Sequence, residues 1–204
     1  MELREALAEI ADIRIRIAES EVFRGYRAVP VALSGVLAIA AAIVQTVLIP
    51  KPTDAPVTYV LLWISVAGLS VLAAAIAMLL KDRYGGVSQT REVTLFAISQ
   101  LAPSLIAGAL ITAVIVRVSP ESTVLLPGLW QVFFSLGLFA SCRLLPRAIA
   151  FVAFFYLLTG IGVMFFCRDD YALHPWAMGL PFGIGELAAA SILYWNLERS
   201  HEKS

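Results

Sequence analysis

Six stretches of mostly apolar residues, at 29–49, 58–80, 94–116, 124–142, 149–166 and 173–195, divide this chain into spans and short connections. Each is close to the ~20 residues that a helix needs to cross a hydrocarbon core ~30 Å thick. Inside that core every backbone N–H and C=O must find a partner, and at this length only a helix supplies all of them within the segment. The ladder therefore predicts an all-α, polytopic membrane protein with six transmembrane helices. Composition agrees: 60% of the residues are hydrophobic and the mean hydropathy is +0.85, above the roughly 45–50% apolar usage of soluble domains.

Charge gives the ladder a direction. With six crossings, Arg4, Arg14, Arg16, Arg24, Arg27, Lys81, Arg83, Arg91, Arg143, Arg147, Arg199 and Lys203 fall on one side, and only Lys51, Arg117 and Arg168 on the other. Short basic loops are retained in the cytoplasm, so the pattern predicts a bacterial cytoplasmic membrane with both termini cytoplasmic. An odd number of spans would scramble that asymmetry. The connections at 50–57, 117–123 and 167–172 are too short to hold a domain on the outer side. Net charge is zero, and no basic stripe of the kind a nucleic-acid binder needs is present.

Residues 1–28 precede the first span and read as a cytoplasmic amphipathic helix, with residues 29–195 forming the bundle and 196–204 a cytoplasmic tail. Leu3, Ala6, Ile10, Ile13 and Ile17 recur at spacings of three and four, which puts them on one helical seam. Two roles fit that seam. It lies on the membrane lipids, with Arg14, Arg16, Arg24 and Arg27 near phosphates, or it docks a protein partner or a second copy of the chain. Six acidic residues within the first 21 argue against a mitochondrial transit segment.

Little in the chain points to catalysis. Cys142 and Cys167 fall on opposite faces of the membrane in this topology, as do His174 and His201, so neither a disulfide nor a zinc site is expected. Leu33-Ser34-Gly35 lacks the preceding glycine of a serine-nucleophile elbow, and no histidine sits in a span where a Ser/His dyad could form. The Lys81–Arg91 connection, with its Gly85-Gly86 turn, has no phosphate-loop pattern, so no cofactor is assigned. Trp130, Trp176, Trp195, Tyr59, Tyr171 and Tyr194 lie near span ends and read as an interfacial aromatic belt.

The sixth span carries the most unusual local sequence, Gly179-Leu180-Pro181-Phe182-Gly183-Ile184-Gly185-Glu186. A carboxylate at mid-span costs on the order of 2.5–3.5 kcal/mol on insertion scales, so its place needs a reason. Pro181 removes a backbone donor and Gly183 and Gly185 weaken helix propagation, which predicts a hinge or break just before Glu186. Gln131, Ser135, Tyr156, Thr159 and Ser104 reach a similar depth, with Gln100 nearer the cytoplasm. Of these, Glu186, Gln131, Tyr156, Ser135 and Ser104 are the candidates for one polar layer that binds a small molecule or a proton, as in a transporter component or a ligand-responsive module. The same layer could instead glue helices together by hydrogen bonds. A non-catalytic scaffold acting through the N-terminal helix is the competing function.

Leu3-Arg4-Glu5 with Leu33-Ser34-Gly35-Val36-Leu37-Ala38, and Leu193-Tyr194-Trp195-Asn196-Leu197-Glu198-Arg199 after the Gly179–Glu186 segment, resemble the first and last spans of a family of uncharacterised small bacterial six-span membrane proteins. That resemblance implies the architecture and carries no activity or site residue. Ala38 and Ala42 also form a small-residue pair similar to the docking pairs of vitamin-binding subunits of energy-coupling transporters, which are six-span proteins of comparable size.

Overall fold

The computed structural model describes residues 28–84, 88–142, 145–167 and 171–198. The amphipathic helix expected over residues 1–28, with Leu3, Ile10, Ile13 and Ile17, lies outside the described residues apart from Ala28, which opens the first span. Among the described residues there are six α-helices: α1 (Ala28–Leu48), α2 (Pro56–Tyr84), α3 (Ser88–Val118), α4 (Leu126–Ser141), α5 (Ile149–Phe166) and α6 (Pro175–Leu193). A 3-10 helix, Pro120–Leu125, leads into α4, and π-helical turns over Tyr194–Glu198 extend α6. Each of the six is long and apolar enough to cross a membrane, so the chain is an all-α, multi-pass membrane protein.

Proline starts several of these helices. Pro56 opens α2, Pro175 opens α6 and Pro127 stands in the first turn of α4, positions where the missing N–H costs nothing and the fixed φ already suits a helix. His174 caps α6, its Nδ1 accepting from the Trp176 N–H at 3.4 Å.

Packing places the helices in the order α2, α1, α6, α5, α4, α3, with α1 on α6 the most extensive pairing and α4 on α5 the next. Small residues allow both. A Cβ at Gly179 would collide with the Cβ of Ala42, and one at Gly183 would stand 2.6 Å from Ile39 Cγ1. On α5, a Cβ at Gly160 would lie 2.7 Å from the Gly128 carbonyl oxygen of α4. Lipid tails are as apolar as leucine, so helices associate in a bilayer through such close backbone approach rather than through hydrophobic burial.

Two buried clusters result. One gathers Tyr59, Trp63, Leu126, Leu173 and Met178 against Ala38 and Ala42, and the other gathers Tyr156, Val152, Ile149, Ala189 and Leu193. Phe182 packs against both. Tyr59, expected in an interfacial belt, is instead fully buried and stacks on Trp130 with ring centroids 6.4 Å apart. Tyr171 and Trp195 are exposed, as belt residues would be.

Polar side chains tie the first cluster together. Buried Gln45 donates from Nε2 to the Leu173 carbonyl at 2.9 Å and accepts from Trp63 Nε1 at 2.9 Å, so one side chain joins α1, α2 and the approach to α6. Trp130 Nε1 donates to Thr112 Oγ1 at 2.8 Å between α4 and α3.

The expected break before Glu186 is not there. α6 runs as one helix from Pro175 to Leu193 with Pro181 inside it, so Glu186 does not stand at the start of a half-helix. A proline at 181 leaves the carbonyl of Ala177, four residues earlier, without its intrahelical donor. Gln131 of α4 supplies one: its Nε2 donates to the Ala177 oxygen at 3.0 Å. A neighbouring side chain that satisfies the freed carbonyl is what lets a helix keep a proline inside a membrane.

Candidate functional site

Glu186 lies on α6 where α1 and α5 both approach. Its half-buried side chain receives one hydroxyl on each carboxylate oxygen. Ser34 Oγ of α1 donates to Oε2 at 2.9 Å, and the Tyr156 hydroxyl of α5 donates to Oε1 at 3.3 Å. Both contacts depend on glycine. A Cβ at Gly185 would stand 2.5 Å from the Tyr156 hydroxyl oxygen, so this position must be bare for the phenol to reach its neighbour. A Cβ at Gly35 would lie 3.1 Å from the Glu186 Cβ.

Tyr156 has no exposed surface and is fixed by rings on three sides. Phe134 meets it edge-on at 5.0 Å between centroids, Phe182 at 5.2 Å and Phe155 at 5.8 Å. Edge and tilted geometries at these distances are the favoured aromatic arrangements. The phenol is therefore held in one orientation, and among the described residues its hydroxyl bonds to the carboxylate alone.

Ser34 has one proton and two acceptors. Its Oγ is 2.7 Å from the Val31 carbonyl oxygen as well as 2.9 Å from Glu186 Oε2. With the carboxylate ionised, the hydroxyl proton is drawn to Oε2. With a proton on Oε2, the same three atoms form a chain in which the carboxyl donates to Ser34 and Ser34 donates to Val31. The cluster can thus take up or release one proton by turning a hydroxyl, with no heavy atom displaced. Among the described residues no Lys, Arg or His forms an ion pair with Glu186.

The other candidates divide. Tyr156 and Glu186 are brought together as the sequence predicts. Gln131 is spent on Pro127 O at 3.1 Å and on Ala177 O, and it makes no hydrogen bond to Glu186. Ser104 donates to its own helix at Leu101 O, 2.8 Å away, and packs where α3 meets Gly137 of α4. Thr159 likewise bonds back along α5. Ser135 is fully buried on α4, and its hydroxyl has no protein partner. Pro181, Gly183 and Gly185, expected as a hinge, serve instead as the Ala177 opening and as close-contact positions.

Ser34 is the residue that sequence reasoning misses. The signal that could have found it is the run of small residues Gly35, Ala38 and Ala42 matching Gly179 and Gly183, since aligning the two faces lays Ser34 beside Glu186.

No group of three His, Cys, Asp or Glu side chains able to hold a metal occurs among the described residues, and Cys142 and Cys167 are both free thiols. An open hollow of about 420 Å³ lies at the far end of α1 from Ser34, lined by Leu48, Ile49, Pro50, Lys51, Ala55 and Thr58, and it holds no carboxylate.

No family model, curated protein or solved structure matches this chain. The resemblances drawn from the first and last spans therefore gain no support from these comparisons, and the site must speak through its own geometry.

Proposed function

We propose that this multi-pass membrane protein binds a proton, or a small molecule whose binding is coupled to one, at Glu186, and acts as a transporter component or ligand-responsive module. The observation that carries the reading is the hydroxyl of Ser34, placed between Glu186 Oε2 and Val31 O so that either charge state of the carboxyl has its hydrogen bonds made. A carboxyl kept only as helix glue needs partners in one state. The Tyr156 hydroxyl holds the second oxygen, and the glycine at 185 gives it room.

The test is thermal unfolding of the wild type and Glu186→Gln in detergent from pH 5 to 9 and against a panel of metabolites and lipids. A pH- or ligand-dependent change in melting that is lost in the variant supports the site, because a group that binds protons differently in folded and unfolded states makes stability depend on pH. Identical responses from the two proteins would sink it.

The membrane we propose is the bacterial cytoplasmic membrane, with both termini cytoplasmic, on the strength of the Lys and Arg asymmetry. The two native thiols test the orientation. An impermeant maleimide added to intact cells should label Cys167 and reach Cys142 only after permeabilisation; the reverse order would invert the topology. A scaffold role for the N-terminal segment, on lipid or on a protein partner, rests on the Leu3, Ile10, Ile13 and Ile17 seam. Deleting residues 1–24 should then abolish co-purification of the partner, and unchanged co-purification would rule the role out.

A further inference from the structure

Two polar atoms on successive turns of α4 are buried without a partner: Gln131 Oε1 and Ser135 Oγ, on side chains with no exposed surface. The serine breaks a habit of this protein. Ser70, Thr112, Ser141 and Thr159 each donate to the carbonyl four residues earlier in their own helices, at 2.7–2.9 Å. Ser135 does not. Gln131, for its part, has used its amide nitrogen on two carbonyls and retains an oxygen that can only accept.

We propose that Gln131 Oε1 and Ser135 Oγ, one turn apart on α4, hold a buried water molecule between them. The water donates to the glutamine oxygen and exchanges its second hydrogen bond with the serine hydroxyl, which satisfies both atoms. Two polar partners in an otherwise apolar shell are the minimum for a retained internal water. An acceptor left dry in a bilayer core would bear its full desolvation cost.

The register also gives the water a neighbour. With Gly160 opposite Gln131 on antiparallel helices, one turn further along each brings Tyr156 opposite Ser135, in line with the 5.0 Å contact between Phe134 and Tyr156. Ser135, one of the two residues that hold the water, is thus level with Tyr156, although the existence of the water does not depend on what Glu186 binds.

Water-edited solid-state NMR of uniformly ¹³C,¹⁵N-labelled protein in phosphatidylcholine bilayers tests it. Magnetisation should pass from water to the Ser135 Cβ and Gln131 Cδ and not to Ala153, which is equally buried and apolar. Ser135 and Gln131 as dry as Ala153 would overturn the proposal. In Ser135→Ala the transfer to Gln131 should fall several-fold, and melting should drop by about 2–4 °C. Unchanged transfer, or a variant that melts higher because an unpaired hydroxyl has been removed, would also overturn it. If Ser135→Ala does not fold, the wild-type spectrum decides alone.

Discussion

α2 and α6 are both long enough to cross a bilayer, yet they are used in opposite ways. The α2 span has a mean hydropathy of 2.4 and only 11% of it is buried inside the protein, whereas the α6 span has 1.4 and is 50% buried. α3 sides with α2, and α4 sides with α6. In water the most apolar segment would be the most buried. In lipid the ordering inverts, because the solvent is itself apolar and a helix reaches the centre of the bundle through small and polar residues that pack and bond. The glycines record the same contrast. Gly68 on α2 has nothing within 4 Å of where a Cβ would stand, while Gly179 on α6 faces the Cβ of Ala42.

The sharpest way to break this comparison is to place a leucine at each of those glycines. Gly179→Leu should destabilise the bundle by about 1–3 kcal/mol or more through overpacking, and Gly68→Leu should leave unfolding in detergent unchanged or slightly improved. Equal effects would mean that burial does not distinguish the two helices. A second test concerns the proline in α6. Gln131→Leu should cost about 1–3 kcal/mol, because the Ala177 carbonyl loses its donor. Adding Pro181→Ala should recover part of that loss by restoring the backbone N–H, so a double-mutant cycle that is strictly additive would disprove the coupling. Ser34→Ala, which removes one hydroxyl from Glu186, should cost about 0.5–1.5 kcal/mol and narrow the pH dependence of melting. The smallest change belongs to the lipid-facing side of α2: Leu72, 55% exposed, should tolerate replacement by alanine within about 0.5 kcal/mol.

The spans were legible because length and hydropathy act on whole segments, and a bilayer imposes one length on all of them. Glu186 was legible for the same reason, as a charge where the medium penalises charge. Tyr156 followed from depth alone. Depth could not separate it from Gln131 or Ser104, because a position along the membrane normal says nothing of which way a helix is turned. The proline was misread: Pro181 and two glycines in five residues weigh towards a broken helix when α6 is considered alone, and the bond that repairs it comes from Gln131 on another helix. Ser34 was passed over because serine is inexpensive in a span and bonds readily within its own helix, so nothing local marks the one that faces a carboxylate.

Ser34 meets Glu186 across 152 residues of sequence. At ribosomal speeds of about 5–20 residues per second, roughly 8–30 s separate the synthesis of the two. For that interval α1 sits in the bilayer with its tightest partner unmade, its small-residue face open to any helix that drifts past. A bundle closed by an early and a late helix gives the cell a window in which an insertase or chaperone can hold α1, and in which a wrong neighbour can take the place of α6.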